Sequence, residues 1–371
     1  MRFDDDYNDD NGGLPIIYMA LGVSVFVLAV MGIVIFANRD NRSGKSNSNA
    51  FVTVSPTASI EETAQFTDKL TADDLDIWDM YPVTDESEDK SPDATKGVSE
   101  EDAKPTTEVT PVSDDEKYND GNHFKIEYAD GSSEWITIDP SREKNTYDYT
   151  NMILNDDKLT YVLDGRAASF LGIDISRYQN EIDFDKVKDS GFSFVMVRVG
   201  ARGYKSGKIT LDENFEDNIS KATEAGLDVG VYFFSQAITP QEAEEEAAVV
   251  LEAIKDKSIT YPIAFDMEFT PNDISRVETL SKDERTAITA AFLNKIAEGG
   301  YNPMIYGNKE WLVKRIDAGK FPGINVWLAD TSSIPDYPYQ YSMWQYTTKG
   351  TLEGVSGGID MDICFVDYKA Q

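Results

Sequence analysis

The sequence predicts an α/β protein: a modified TIM-like β/α barrel, preceded by a small β unit, a disordered acidic stalk and one transmembrane helix. Three observations predict it. Residues 14–37 carry no charge and are dominated by Val, Ile, Leu, Met, Ala and Phe. Residues 51–120 hold twenty acids against five lysines, with few large apolar residues. After Leu171, eight short apolar runs alternate with helical segments, the order expected of a parallel sheet or barrel.

The elements follow in chain order. Residues 1–13 are an acidic tail, with Asp4-Asp5-Asp6 and Asp9-Asp10 before the apolar run. Leu14–Ala37 exceeds the ~20 apolar residues that cross a bilayer. It is too long for the core of a cleaved signal peptide, and its N-terminal flank is acidic rather than basic. A single-pass anchor is therefore expected. Arg39, Arg42 and Lys45 follow the span and Arg2 precedes it, a bias that by itself places the C-terminal part inside. Long domains translocate despite such a bias, and the extracellular placement expected here rests on the function argued below. Residues 38–120 cannot bury enough apolar surface to offset chain entropy, so they read as a disordered linker of about 50 Å r.m.s. span. Leu75–Tyr81 is an apolar patch within it.

Residues 121–168 change texture. Phe124, Ile126 and Tyr128 alternate toward one face, Asp130-Gly131 marks a hairpin turn, and Trp135–Ile138 returns. Met152–Leu154 and Leu159–Leu163 flank a second turn at Asn155-Asp156-Asp157. Such a unit is too small for much core of its own and is expected to lean on the domain that follows, 169–371.

The eight barrel strands are expected at Leu171–Ile175, Phe194–Val199, Val229–Phe234, Pro262–Phe269, Met304–Tyr306, Val326–Ala329, Ser342–Tyr346 and Ile359–Val366. Thr239-Pro240-Gln241-Glu242 opens a helix through Lys255, with an N-cap, Pro in the first turn and a capping-box Glu. Ser281-Lys282-Asp283-Glu284 repeats the box before Ala287–Ala297. Asn214–Ala225 stops at Gly226. Helical signals become scarce after Trp311, so the last strands are expected to connect more directly.

Composition removes several function classes. Acids outnumber bases 67 to 34, a formal charge of −33, which repels nucleic acid. There is one His, His123, and one Cys, Cys364. An intrachain disulfide, a Cys/His zinc site and a Ser-His-Asp triad in the C-terminal domain are all excluded. Acid/base work there falls to carboxylates, Tyr or Lys. No metal and no cofactor are expected, and the oligomeric state is not legible.

The strand at 262–269 carries the chemistry. Strand side chains alternate, so Ala264, Asp266 and Glu268 share one face and Ile263, Phe265, Met267 and Phe269 the other. An apolar strand has no packing reason to hold two acids on one face, because burying charge is costly. Barrel sites lie at the C-terminal ends of the strands. Those ends read Asp174, Arg198, Tyr232 and Phe234, Asp266 and Glu268, Tyr306, Trp327 and Asp330, then Trp344 and Gln345, with Asp360 near the last strand. Acids ringed by Tyr and Trp suit a sugar better than a nucleotide.

Leu171-Gly172-Ile173-Asp174-Ile175-Ser176-Arg177-Tyr178-Gln179, with Ile182-Asp183-Phe184, resembles the opening of glycoside hydrolase family 25, the bacterial and phage-type N-acetylmuramidases or lysozymes. The resemblance runs in order through Phe194–Gly200, Gly226–Ser235, the Asp266/Glu268 strand, Tyr306-Gly307-Asn308, Trp327-Leu328-Ala329, Met343–Tyr346 and Gly358–Ile363. It covers nearly all of 171–368. It implies hydrolysis of the β-1,4 bond between N-acetylmuramic acid and N-acetylglucosamine in peptidoglycan, with glycan strands as the partner. Glu268 matches the proton donor, and Asp174, Asp266 and Asp360 match the other catalytic acids. Tyr232, Phe234, Arg198, Tyr306, Trp344, Gln345 and Asp330 are the expected substrate-binding residues. Negative charge on Asp266 is expected to raise the pKa of Glu268. Asp266 then either stabilises oxocarbenium-like charge or orients the substrate's 2-acetamido group. Asp362 stands where the family often has Asn. The rival reading is a non-catalytic wall-binding or assembly module on the same fold.

Overall fold

Nine-residue and shorter runs of Val, Ile, Phe and Met build the centre of the protein, because their strands are covered on both faces. The structure, a computed structural model, describes residues 117–128, 131–179, 181–270 and 273–370. All lie within Phe66–Gln371. The anchor expected at 14–37 and nearly all of the linker expected at 38–120 lie outside the described residues. Among the described residues, no helix is long and apolar enough to cross a membrane.

Two small sheets precede the barrel. β1 (His123–Glu127) and β2 (Ser133–Thr137) pair antiparallel, with Phe124 opposite Ile136. Phe124 and Ile126 turn inward, as the alternation predicts. β3 (Met152–Asn155), β4 (Lys158–Leu163) and β5 (Arg166–Ala167) form a separate antiparallel sheet. Neither sheet closes a core of its own. Leu159 and Tyr161 of β4 are continuous with the main core. Tyr147 stacks on Phe365 at 4.0 Å and donates to the Tyr341 carbonyl at 2.7 Å.

The barrel strands are β6 (Phe170–Ile175), β7 (Phe194–Arg202), β9 (Asp228–Ser235), β10 (Ile263–Met267), β11 (Pro303–Asn308), β12 (Asn325–Ala329), β13 (Met343–Gly350) and β14 (Ile359–Cys364). A short β8 (Ile209–Leu211) pairs only with β7. Pairing runs β6-β7-β9-β10-β11-β12-β13-β14 and back to β6, so eight strands close the barrel. Seven are mutually parallel. β14 is antiparallel to both neighbours, which is the modification of the regular βα barrel. It arises because residues 351–358 join β13 to β14 without a helix, and a short loop can return the chain only antiparallel.

Helices α1 (Phe184–Asp189), α2 (Phe215–Glu224), α3 (Pro240–Ile254) and α4 (Lys282–Glu298) cover the outside. Thr239 caps α3, accepting from the Glu242 N–H, and Ser281 and Glu284 form a reciprocal capping box on α4. After α4 the connections shorten to a π turn at Trp311–Arg315 and a 3₁₀ turn at Ala318–Lys320. Ile173, Val195, Val197, Val229, Phe233 and Phe265 face the helices, whereas Phe194, Met196, Tyr232, Ala264, Met304 and Trp327 fill the barrel. Gly172 leaves room for that filling, since a Cβ there would lie 2.2 Å from the Phe194 ring.

Candidate active site

Period-two alternation decides which residues enter the barrel mouth. On β6, Ile173 and Ile175 pack outward, so Asp174 points in; on β10, Ile263, Phe265 and Met267 pack outward and Asp266 points in. β14 alternates likewise: Ile359, Met361 and Ile363 pack outward, which leaves Asp360 and Asp362 inside. Register brings Asp174 opposite Asp360, and Gln345 of β13 opposite Asp362. β10 ends at Met267, two residues short of the expected strand, so Glu268 lies just past its end. The wholly buried Gln236 holds it there, donating to the Glu268 carbonyl at 2.8 Å.

Five carboxyls therefore converge: Asp174, Asp266, Glu268, Asp360 and Asp362. Asp266 and Glu268 are in hydrogen-bond contact, as are Asp174 and Asp362. Buried acids this close share protons. Asp174 rises to about 6, through burial, with the Gln345 amide and Asp362 pulling it down. Glu268 rises to about 7, through burial first and the charge of Asp174 second. Asp360 rises to about 9, from burial and then from Asp174 and Glu268. Asp266 and Asp362 are both pushed well above the carboxylate range, burial being the largest cause.

The expected electrostatic cause is thereby corrected. Glu268 is raised, but not by a charged Asp266. The hydrogen bond between the two lowers Glu268 and raises Asp266, so the deeper Asp266, 4% exposed, holds the first proton of the pair. Burial ranks above sequence proximity here because desolvation penalises the more enclosed charge.

A polar chain supports this cluster. The Tyr306 hydroxyl donates to Gln345 Oε1 at 2.9 Å, and Gln345 Nε2 donates to Asp174 Oδ2 at 2.7 Å. Trp327 Nε1 donates to Asp362 Oδ1 at 2.7 Å. Tyr306 and Tyr232 both meet the Trp327 ring edge-on, at 4.7 and 5.9 Å between centroids. Among the described residues, no group of three or more His, Cys, Asp or Glu has the arrangement of a metal site.

Tyr232, Tyr306 and Gln345 join the acids, and Arg198 and Phe234 share the inward face of their strands; Trp344 and Asp330 do not join them. Trp344, 2% exposed, lies in the outer core and donates through Nε1 to the Asp330 carbonyl at 2.6 Å. Gln345 takes the inward position on β13, so its neighbour must face out. Arg198 has the inward parity of Phe194 and Met196, neighbours Tyr232 and pulls the pKa of Asp266 down, while pairing with the buried Asp212, Nη2 to Oδ2 2.8 Å. Phe234 has the inward parity of Tyr232, stands opposite Asp266 in the sheet and packs with Tyr204. The Asp330 carboxylate accepts from the Ser332 N–H at 2.9 Å and shapes its own turn. Conversely, Trp327, read among the strand ends but given no role, and Asp362, noted only as standing where the family often has Asn, both belong to the site. The signal was available in the two-residue spacing of Asp360 and Asp362, and in the pairing of the Tyr306 and Trp327 strands.

Residues 173–355 match the family model described as Glycosyl hydrolases family 25. An autolytic lysozyme of Clostridium acetobutylicum is 26% identical over 52% of this chain and 54% of its own length. An N,O-diacetylmuramidase of Arthroderma benhamiae is 27% identical, over 53% of this chain and 87% of its own. Among solved structures, the modular autolysin LytC of Streptococcus pneumoniae, in complex with a synthetic peptidoglycan ligand, has 23% identity and a TM-score of 0.47, covering 65% of this chain and 56% of that one. The chain thus spans little more than half the length of the clostridial lysozyme and of LytC.

Proposed function

Residues 173–355 form a family 25 glycosyl hydrolase domain, and from this premise we propose that the protein is a peptidoglycan hydrolase of the lysozyme type. It cleaves the β-1,4 bond between N-acetylmuramic acid and N-acetylglucosamine. The observation that carries the reading is the hydrogen-bonded Asp266–Glu268 pair set beside Asp174, with the three acids titrating apart. Between pH about 6 and about 7, Asp174 is ionised while Glu268 still holds a proton. An anion and an acid then coexist in one mouth, as glycoside hydrolysis requires.

Glu268 protonates the leaving oxygen as the C1–O bond breaks. The Asp174 carboxylate stabilises the positive charge that develops on the sugar. Asp266, protonated, keeps its hydrogen bond to Glu268 and stabilises the carboxylate that proton transfer leaves there. Water then delivers hydroxyl to C1, and its proton restores Glu268. Asp360, neutral below about 9, serves as a hydrogen-bonding group for sugar hydroxyls.

The uncharged run Leu14–Ala37 supports a membrane anchor, and the acidic 38–120 segment a tether that lets the hydrolase domain reach the wall from the outer face. The test of function is release of reducing sugar from purified peptidoglycan. Glu268→Gln lowers it by about 10²–10⁴-fold, the usual worth of a general acid, while binding to sacculi persists. Undiminished release by Glu268→Gln overturns the assignment.

A further inference from the structure

Asp362 is wholly enclosed, 0% exposed, at a place where a charge has little to recommend it. Its Oδ1 accepts the Trp327 indole N–H at 2.7 Å, whereas its Oδ2 is buried with no donor in reach. The carboxyl of Asp174 is in hydrogen-bond reach of the Asp362 side chain. Two ionised carboxylates there would repel each other, and one would hold a buried lone pair with no partner. A single proton between them removes both penalties.

We propose that Asp362 is a positioning residue that works undissociated: it takes the Trp327 N–H on one oxygen and, through the other, donates its own proton to Asp174. Asp174 then receives two fixed donors, Asp362 on one side and the Gln345 amide on the other. In this orientation the amide oxygen of Gln345 accepts from the Tyr306 hydroxyl while its nitrogen faces Asp174. Asp174 is thus held as the standing carboxylate of the site, and its anionic form does not depend on a cation.

Burial selects which acid keeps the proton. Asp174 stands at the mouth, 5% exposed, and rises to about 6, whereas the enclosed Asp362 is pushed far higher. The groups acting on Asp362 are Asp174 on β6, Asp360 on its own strand and the Trp327 indole on β12; Asp362 in turn raises Cys364 and Tyr346. None of them is a cation that would favour its ionised form.

The inference rests on the hydrolase reading for its consequence and on geometry for its chemistry, and the test separates the two. Full-length wild type, Asp362→Asn and Asp362→Leu are compared on purified peptidoglycan across a pH series. Asn supplies a neutral N–H donor of the same shape, so kcat/KM stays within about threefold and the rising limb of the profile is unmoved. Leu supplies none, so kcat falls about tenfold or more and the rising limb moves up by about one pH unit, with KM little changed. A hundredfold loss in the Asn variant, or a Leu variant equal to wild type, overturns the proposal. Isotope-edited infrared spectroscopy at neutral pH reads the proton directly, through a carboxylic-acid band that vanishes in Asp362→Asn. Absence of that band from the wild type also overturns the proposal, even if the Leu variant does not fold. A wild type that shows the band but releases no sugar refutes the hydrolase reading and leaves the protonated Asp362 standing.

Discussion

Gln345→Met tests whether Asp174 is the ionised partner in the reaction. The side chain keeps its length but loses the amide that donates to Asp174 Oδ2 at 2.7 Å. A hydrogen bond to a charged group is worth about 1.5–3 kcal/mol, and about 1.36 kcal/mol is one pKa unit, so Asp174 should climb by about one to two units. It starts at about 6, with Glu268 at about 7. The active state needs Asp174 ionised and Glu268 protonated, so activity rises through the first value and falls through the second. For independent groups, that state peaks at ~58% of the enzyme in the wild type, ~25% after a one-unit shift and ~6% after a two-unit shift. Maximal kcat should therefore drop about two- to tenfold, and the optimum should move up by about half to one unit. The assay is the initial rate of reducing-end release from purified peptidoglycan over a pH series spanning both limbs. A rate loss with the rising limb in place refutes the role given to Asp174.

Three further outcomes follow from the same geometry. Trp344→Phe should lower stability by ~1 kcal/mol in denaturant melts, through loss of its bond to the Asp330 carbonyl, and leave KM unchanged; a raised KM would return Trp344 to the substrate. Gly172→Ala should cost ~1–3 kcal/mol in the same melts, because its Cβ meets the Phe194 ring, which is itself stacked on Tyr261 at 4.4 Å. Protease added to intact cells should digest the domain at 169–371 if the anchor holds it outside, and protection of that domain contradicts the extracellular placement.

Strand order was legible because it depends on local pattern. Eight apolar runs separated by capped helices allow few arrangements, and each expected barrel strand overlaps an observed one. The acids were legible for the same reason: Asp174, Asp266 and Asp360 are polar interruptions in runs that packing would otherwise fill with apolar residues. Trp344 shows where local pattern stops. Trp and Gln are adjacent on β13, and either parity fits the sequence; the choice of Gln345 for the inside depends on Asp174 and Tyr306, 171 and 39 residues away.

What the sequence determined alone was the kind of chemistry available: carboxylates without His or paired Cys, arranged on strands that must bury both faces. What the tertiary structure decided was where the protons reside. Closing β14 against β6 sets Asp362 against Asp174, and ending β10 at Met267 leaves Glu268 touching Asp266 from just outside the strand. Protonation depends on burial and on distances between residues far apart in the chain, and those quantities exist only once the barrel has closed.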